Sequence, residues 1–447
     1  MLISTLATFA LLGAPSEAAA WARAHAVPLS LDAEPPSDGL GAVAAALQGA
    51  DVVLIGEPTH GTRESWTLRR QLLAGLASRN RLSGVALEAG FAEAMAAEEY
   101  AQGGALSAEE AAQRTAGIQW PLRARGFVQL LRWVRAYNGK ATRKIHVYGI
   151  DAPSPGAARL VRAALEQRNP LLASRARPLL DQLGSTAQMT GLLGQPAAPG
   201  EREIMADLQR ELAGSPDSRA LQAARILDQT LRFLHQPTYE ARYRFRDEEI
   251  LAANVRWALQ DAGGPLAVLA HDGHITMDPE NRSMGARLRR DLGERTAAVG
   301  IAFGSGGFLA MPVPRAPGER VRAFDLAPPA GDLVEAPLGE VPLAAAAFDL
   351  RAAPHTPAMQ SWLDEPRPLR AIGAIFKADN ERGFYLTLRA RRAFDWLLYI
   401  QRATPEELVP AWGGAFLVAR YAPLGCALAL AALAAVWLVA RRRRRSS

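Results

Sequence analysis

At 447 residues, 49% hydrophobic and 21% charged, the chain can bury a large core and is too apolar for an extended disordered protein. The formal charge of +6 includes five arginines at 441–445; subtracting them from 51 basic residues leaves 46 against 45 acidic ones, so no nucleic-acid footprint is evident. The lone cysteine, Cys426, excludes an intrachain disulfide and a cysteine-based zinc site.

Residues 2–14 are mostly apolar, and Ala18, Ala19 and Ala20 offer small residues for cleavage. The segment 1–20 reads as a secretory signal, although only the amino terminus supplies its positive charge. A retained apolar helix is the alternative. Residues 21–50 are rich in alanine and proline, with one helical stretch at 39–48. A first strand over 52–56 stops at Gly56, and Glu57, Pro58, His60, Gly61 and Glu64 follow in a polar turn. Leu68, Leu72, Leu73 and Leu76 recur at helical spacing, so a helix is expected over 63–78, carrying Arg69 and Arg70.

A second strand, 83–87, ends at Glu88. An amphipathic helix covers 127–138, and a third strand, 145–150, ends at Asp151. The stretch 156–262 reads as several helices broken by Gly and Pro, with 242–259 the strongest. A fourth strand, 266–270, ends at His271, with His274 close behind. A fifth, 297–302, precedes Gly304, Gly306 and Gly307, which lack the lysine of a phosphate loop and the spacing of a dinucleotide fingerprint. Residues 308–350 read as an irregular excursion, and 370–376 and 393–400 as late strands or buried segments. The globular part ends near 404–405. Residues 421–440 carry no charge and precede the five arginines. This pattern predicts a single membrane span with a cytoplasmic tail at 441–447 and the body outside the cytoplasm. Gly425-Cys426 also leaves room for a processed or lipidated tail.

Short apolar strands alternating with helices predict an α/β fold with a mainly parallel sheet of about five strands, covered on both faces. Four of those strands end on Glu57, Glu88, Asp151 and His271. In a parallel sheet these ends share one edge, where α/β proteins bind ligands. Histidine beside carboxylate suits general acid–base hydrolysis, and Arg69 or a second imidazolium would offset charge on a carbonyl oxygen. No Gly-x-Ser-x-Gly elbow is present, and the only cysteine lies in the expected span, so direct attack by water is the simpler chemistry. Each residue also has a plainer reading: a strand-end histidine is more often structural, Glu57 can cap the next helix, and Asp151 can be a turn residue. His60, His271, His274 and the carboxylates would also suit zinc or manganese.

The motifs GEPTHGTRE at 56–64, VALEAGFAEA at 85–94, YGIDAPS at 148–154 and LAHDGHI at 269–275 resemble the erythromycin esterase family, whose relatives are also labelled succinoglycan biosynthesis proteins. The resemblance spans about 40–407 and includes Arg246-Asp247 and the closing FDWLLYIQRATP. It implies a three-layer α/β/α fold with a helical section over the active site. It implies a hydrolase of esters or lactones, macrolides among them, that needs no metal or other cofactor. In that pattern His60 is the general base, with Glu57, Arg69, Glu88, His271 and His274 completing the catalytic set. Glu64, Asp151, Arg246 and Asp247 are the candidate substrate-binding residues. Two features depart from the family: the C-terminal anchor, and Pro58 where a small residue is usual. The expected partners are a small-molecule ester or lactone and the membrane. The rival readings are a non-catalytic protein binding polysaccharide or lipid through the same crevice, and a metal-dependent hydrolase.

Overall fold

The structure is a computed structural model that describes residues 16–32, 38–117, 119–315 and 319–410. Its strands are β1 (Val27–Pro28), β2 (Val52–Ile55), β3 (Gly84–Gly90), β4 (His146–Asp151), β5 (Leu266–Leu269), β6 (Thr296–Pro312), β7 (Arg322–Leu326), β8 (Ala345–Asp349), β9 (Arg367–Arg370), β10 (Ile375–Phe376), β11 (Tyr385–Leu388) and β12 (Trp396–Ala403). Six of them, in the order β4-β3-β5-β2-β6-β12, pair in parallel. β8 and β1 extend this sheet antiparallel beyond β12, while β7 and β10 pair with β6.

The inner strands form because their side chains are apolar on both faces. Every residue of β2 and β5 is buried. The two-residue repeat sends Val53 and Ile55 to one face, against Leu68 and Leu72 of the helix Arg63–Ala77 and Phe127 of the next layer. Val52 and Leu54 face the other way, against Val255, Met284, Leu288 and Phe394. Each fully buried side chain of this kind contributes about 1.5–3 kcal/mol. The helices between Gly156 and Ala262 enclose a third cluster around Leu180, Leu208 and Leu227, so this section carries its own core.

The expected fold needs correction in two respects. The sheet has ten strands of mixed direction, not about five. All five expected strands are present, but β12 supplies a sixth parallel strand and the supposed excursion at 308–350 holds the end of β6 with β7 and β8. Glycines concealed the length of β6. Gly306 lies at φ +103°, and a Cβ there would come within 2.3 Å of the Ala403 carbonyl, so these glycines permit a bend and close strand contact. In β8 the run Ala345–Asp349 is mostly alanine, a poor strand signal.

The second correction concerns the membrane helix. Among the described residues, no helix is long and apolar enough to cross a membrane, so that element is not part of the fold seen here. The expected span 421–440 and tail 441–447 lie outside the described residues. So do residues 1–15 of the expected signal. The described remainder enters the helix Glu17–His25, whose Ala19 and Ala22 are buried and whose Trp21 packs against Phe348 and Trp362.

Gly61 joins distant parts of this sheet edge. Its carbonyl accepts from Leu309 N at 3.0 Å and Glu406 N at 2.8 Å. A Cβ at this position would lie 2.0 Å from the Leu309 carbonyl oxygen and 2.4 Å from its nitrogen. We therefore expect Gly61→Ala to destabilise the protein by about 1–3 kcal/mol, the range of overpacked positions. Urea unfolding checks this: the midpoint should fall, and an unchanged midpoint would contradict so close a backbone crossing.

Candidate active site

β2 stops at Gly56, between β6 and the residues that follow β5. Gly56 N donates to Val299 O at 2.9 Å, and a Cβ on Gly56 would lie 1.8 Å from Asp272 Oδ1, so no larger side chain fits. The turn that follows is held by chain segments from elsewhere. Glu57 O accepts from Asp272 N at 3.0 Å, Pro58 O accepts from Ile372 N at 2.7 Å, and Thr59 bridges Gly373.

Arg69, 2% exposed, reaches this turn from the helix Arg63–Ala77. Its Nε donates to Gly56 O at 2.9 Å, and Nη2 donates to Ala270 O at 2.7 Å and Ile55 O at 3.4 Å. Its Nη1 donates to Glu57 Oε2 at 2.7 Å. These are carbonyls at the ends of β2 and β5; Ile55 O also accepts from Ala270 N at 3.3 Å, while the other two lie where the ladder ends. Arg69 therefore ties two strand ends to one carboxylate and has little surface to offer a substrate. The expectation that it would face a developing oxyanion does not fit this burial.

Glu57 turns its other oxygen to His60, with Oε1 2.6 Å from Nδ1. An ionised carboxylate only accepts, so the ring donates from Nδ1 and keeps its lone pair on Nε2. The His60 side chain is 13% exposed, which leaves part of the ring open to solvent.

A second charged group lies alongside. Arg246 donates through Nε to Asp151 Oδ1 at 2.9 Å and through Nη2 to Asp151 Oδ2 at 2.5 Å and Glu88 Oε1 at 2.8 Å. Arg246 begins a π-helical turn, Arg246–Leu251, and such turns often mark functional sites. Its neighbour Asp247 accepts from His274 Nδ1 at 2.7 Å. Consecutive residues thus serve the same cluster. Burial alone would raise the Glu88 pKa, but His274 and Arg246 hold it well below the usual carboxylate range. Burial opposes charge on His274, yet Asp247 and Glu88 outweigh it and raise its pKa to about 10. Two partners compete for Nε2: as an imidazolium the ring points Nε2–H at Glu88 Oε1, 3.3 Å away, and as a neutral ring it accepts there from Arg246 Nη1, 2.9 Å away; the carboxylates favour the first and Arg246 opposes it. Tyr243, two-fifths exposed, stacks on His274 with ring centres 5.5 Å apart.

His271 connects the two groups. Its ring centre lies 5.3 Å from that of His60 and 6.2 Å from that of His274, and its backbone N–H donates to Glu88 Oε2 at 3.1 Å. Burial, with the neighbouring His60 and His274, pushes its pKa well below 6.5, so the ring is neutral. Next to it, Asp272 is fully buried and accepts from Ile301 N at 3.3 Å, while its Oδ2 has no hydrogen-bond partner. Burial raises the Asp272 pKa well above 3.8, which favours its neutral acid form.

Nine of the ten expected residues therefore belong to one linked cluster: Glu57, His60, Arg69, Glu88, Asp151, Arg246, Asp247, His271 and His274. Glu64 does not join it, because its oxygens accept from Thr404 N at 2.9 Å and Thr404 Oγ1 at 2.6 Å and tie the helix start to the end of β12. Sequence reasoning missed Tyr243 and the Ile372–Gly373 segment, and considered Asp272 only beside His271 and His274 in the metal-binding alternative. Asp272 was visible between the two histidines, but nothing there marked it as buried. Among the described residues, no group of three or more His, Cys, Asp or Glu side chains is arranged to hold a metal ion.

Comparison with known proteins follows this geometry. The erythromycin esterase family profile matches residues 81–403, a region that begins after the Glu57–His60 turn. A crystal structure described as a succinoglycan biosynthesis protein is 20% identical, with a TM-score of 0.75, covering 88% of this chain and 98% of its own. A Bacillus cereus protein is 21% identical, with a TM-score of 0.74 and the same coverage. A mutant of the erythromycin esterase EreC in its open conformation is 16% identical, with a TM-score of 0.63, covering 86% of this chain and 99% of its own. No curated protein sequence matches. With the family profile extending over well more than half its length, the chain belongs to the erythromycin esterase family.

Proposed function

We propose that this protein hydrolyses an ester or lactone by direct attack of water, with His60 as the general base. The observation that carries the reading is the Arg69–Glu57–His60 chain, which fixes one ring tautomer and leaves Nε2 free to take a proton from water. Membership of the erythromycin esterase family supports hydrolase chemistry in general.

The surrounding charges suit this division of labour. Glu88, held ionised by His274 and Arg246, is too weak a base to compete for the proton of water at neutral pH. Asp272 is fully buried, and burial raises its pKa, which disfavours a second anion beside Glu57. Glu57 stabilises the imidazolium that forms on His60, and the same ring can return the proton to the departing alcohol. The partly exposed edges of His60, Glu88, Arg246 and Tyr243 mark the side from which a substrate would approach.

His60→Ala should abolish turnover in a panel of simple esters, small lactones and a macrolide, with its thermal unfolding close to wild type. Glu57→Gln should lower kcat by about 10²–10⁴-fold, the span of a general-base contribution. Undiminished hydrolysis by His60→Ala would overturn the assignment.

His274 supplies a separate test. Its pKa rises from an unfolded value near 6.5 to about 10, so the folded state holds an extra proton between those limits. The associated stability is fully present below pH 6.5 and is lost as pH rises through 10. Urea midpoints measured from pH 7 to pH 10 should therefore fall, by on the order of a few kcal/mol in free energy. His274→Gln should be less stable at pH 7 and show a flatter slope; identical slopes would contradict a charged His274.

A further inference from the structure

Large apolar side chains are rare on the outside of this protein. Among the described residues only Leu171, 85% exposed, and Tyr243, 40% exposed, are open to solvent. Leu171 lies on the helix Pro170–Leu183, away from the charged cluster. Tyr243 lies over that cluster. Apolar surface left in water gains free energy when a ligand covers it, so an open aromatic ring beside a reaction centre calls for an occupant.

The fold fixes where that ring lies. Tyr243 belongs to the helix Tyr239–Phe245, which runs directly into the π-helical turn that carries Arg246 and Asp247. Residues four apart share a helix face, and Tyr239 accordingly stands beside Tyr243, with ring centres 6.2 Å apart. Towards the site the Tyr243 ring stacks on His274, with an angle of 27° between the planes. Its hydroxyl end leans towards His271: a Cβ on Gly273 would lie 3.5 Å from the Tyr243 hydroxyl and 3.2 Å from His271 Nδ1. The aromatic surface thus borders the row of histidines, His274 and His271, that leads to His60.

The charges beneath decide what this surface takes. Glu88 and Asp151 are bonded to Arg246, and Asp247 is bonded to His274. A cation would therefore find each of these carboxylates already engaged, and an anion would meet three of them. An uncharged ring meets neither obstacle, and aromatic pairs in offset or edge contact attract beyond the area they bury.

We propose that Tyr243 is the specificity residue of the hydrolysis, the platform on which an uncharged aromatic ring of the ester packs while its carbonyl group lies at His60. This assignment rests on the hydrolytic reading above and names the substrate class: esters that carry an aryl group, in preference to short alkyl esters.

Two matched pairs of substrates test it with the full chain. Benzyl acetate against butyl acetate places the ring on the alcohol side, and ethyl phenylacetate against ethyl pentanoate places it on the acyl side. In wild type, kcat/KM should favour the ring-bearing member of at least one pair. Tyr243→Ala should lower that ratio about 3–10-fold, the worth of one aromatic contact, chiefly by raising KM of the ring-bearing ester. Tyr243→Phe should keep the ratio. Comparing ratios removes any effect of the substitution on His274, which acts on both members of a pair alike. Should Tyr243→Ala not fold, Tyr243→Leu keeps most of the bulk and should show the same fall. Equal hydrolysis of both members of each pair by wild type would overturn the assignment, as would a wild-type ratio in a folded Ala or Leu variant. So would a loss in Tyr243→Phe as large as in Tyr243→Ala, which would attribute the preference to the hydroxyl. Turnover without a ring preference removes this assignment alone, whereas absence of all turnover by wild type removes the hydrolytic reading and this assignment with it.

Discussion

The buried guanidinium of Arg69 is the interaction on which the site depends. Parallel strands that stop side by side leave carbonyls without ladder partners, and a buried unpaired carbonyl is costly. Arg69 collects two of them, from Gly56 and Ala270, shares the Ile55 carbonyl with Ala270 N–H, and so ties β2 to β5 at the edge where the chemistry lies. A buried cation needs a counter-charge, and Glu57 provides it. The carboxylate that neutralises Arg69 with one oxygen orients His60 with the other. Strand termination, charge balance and the tautomer of the proposed base thus follow from a single side chain.

The second charged group solves a similar problem differently. Glu88, Asp151 and Asp247 bring three carboxylates into little volume; Arg246 offsets part of that charge, and Asp247 and Glu88 raise the proton affinity of His274. The π-helical turn lets Arg246 and Asp247 both reach the cluster. At Asp272, which has no cationic partner in hydrogen-bond contact among the described residues, burial shifts the balance toward the neutral acid. The outcome is a site in which most proton positions are settled before a substrate arrives, as electrostatic preorganisation requires.

Much of this was legible in the sequence wherever a buried strand stopped on a titratable residue. Glu57, Glu88, Asp151 and His271 were found because an apolar run ended abruptly, and a parallel sheet then places such ends together. Arg246 and Asp247 were not accessible in that way, since the helical pattern of 242–259 contains no sign of a π turn; the family resemblance pointed to them. Glu64 shows the limit of proximity in a motif. It lies four residues after His60, but the first helical turn faces it to Thr404. Arg69 lies with the strand-end residues, but sequence gives no measure of burial, and its contacts with strand-end carbonyls leave it little surface for a substrate. The contacts from residues 372–373 to Pro58 and His271 were invisible, as they join segments more than 100 residues apart and residues 372–373 make them through backbone N–H groups. The missing strands failed for compositional reasons: glycine in β6 and alanine in β8 suppress the usual signal.

Chemical rescue is the most direct test of the central claim, that His60 Nε2 accepts a proton from water. His60→Gly should be inactive alone, and free imidazole should restore ester hydrolysis in proportion to its unprotonated form. Full activity of His60→Gly without imidazole would contradict the account.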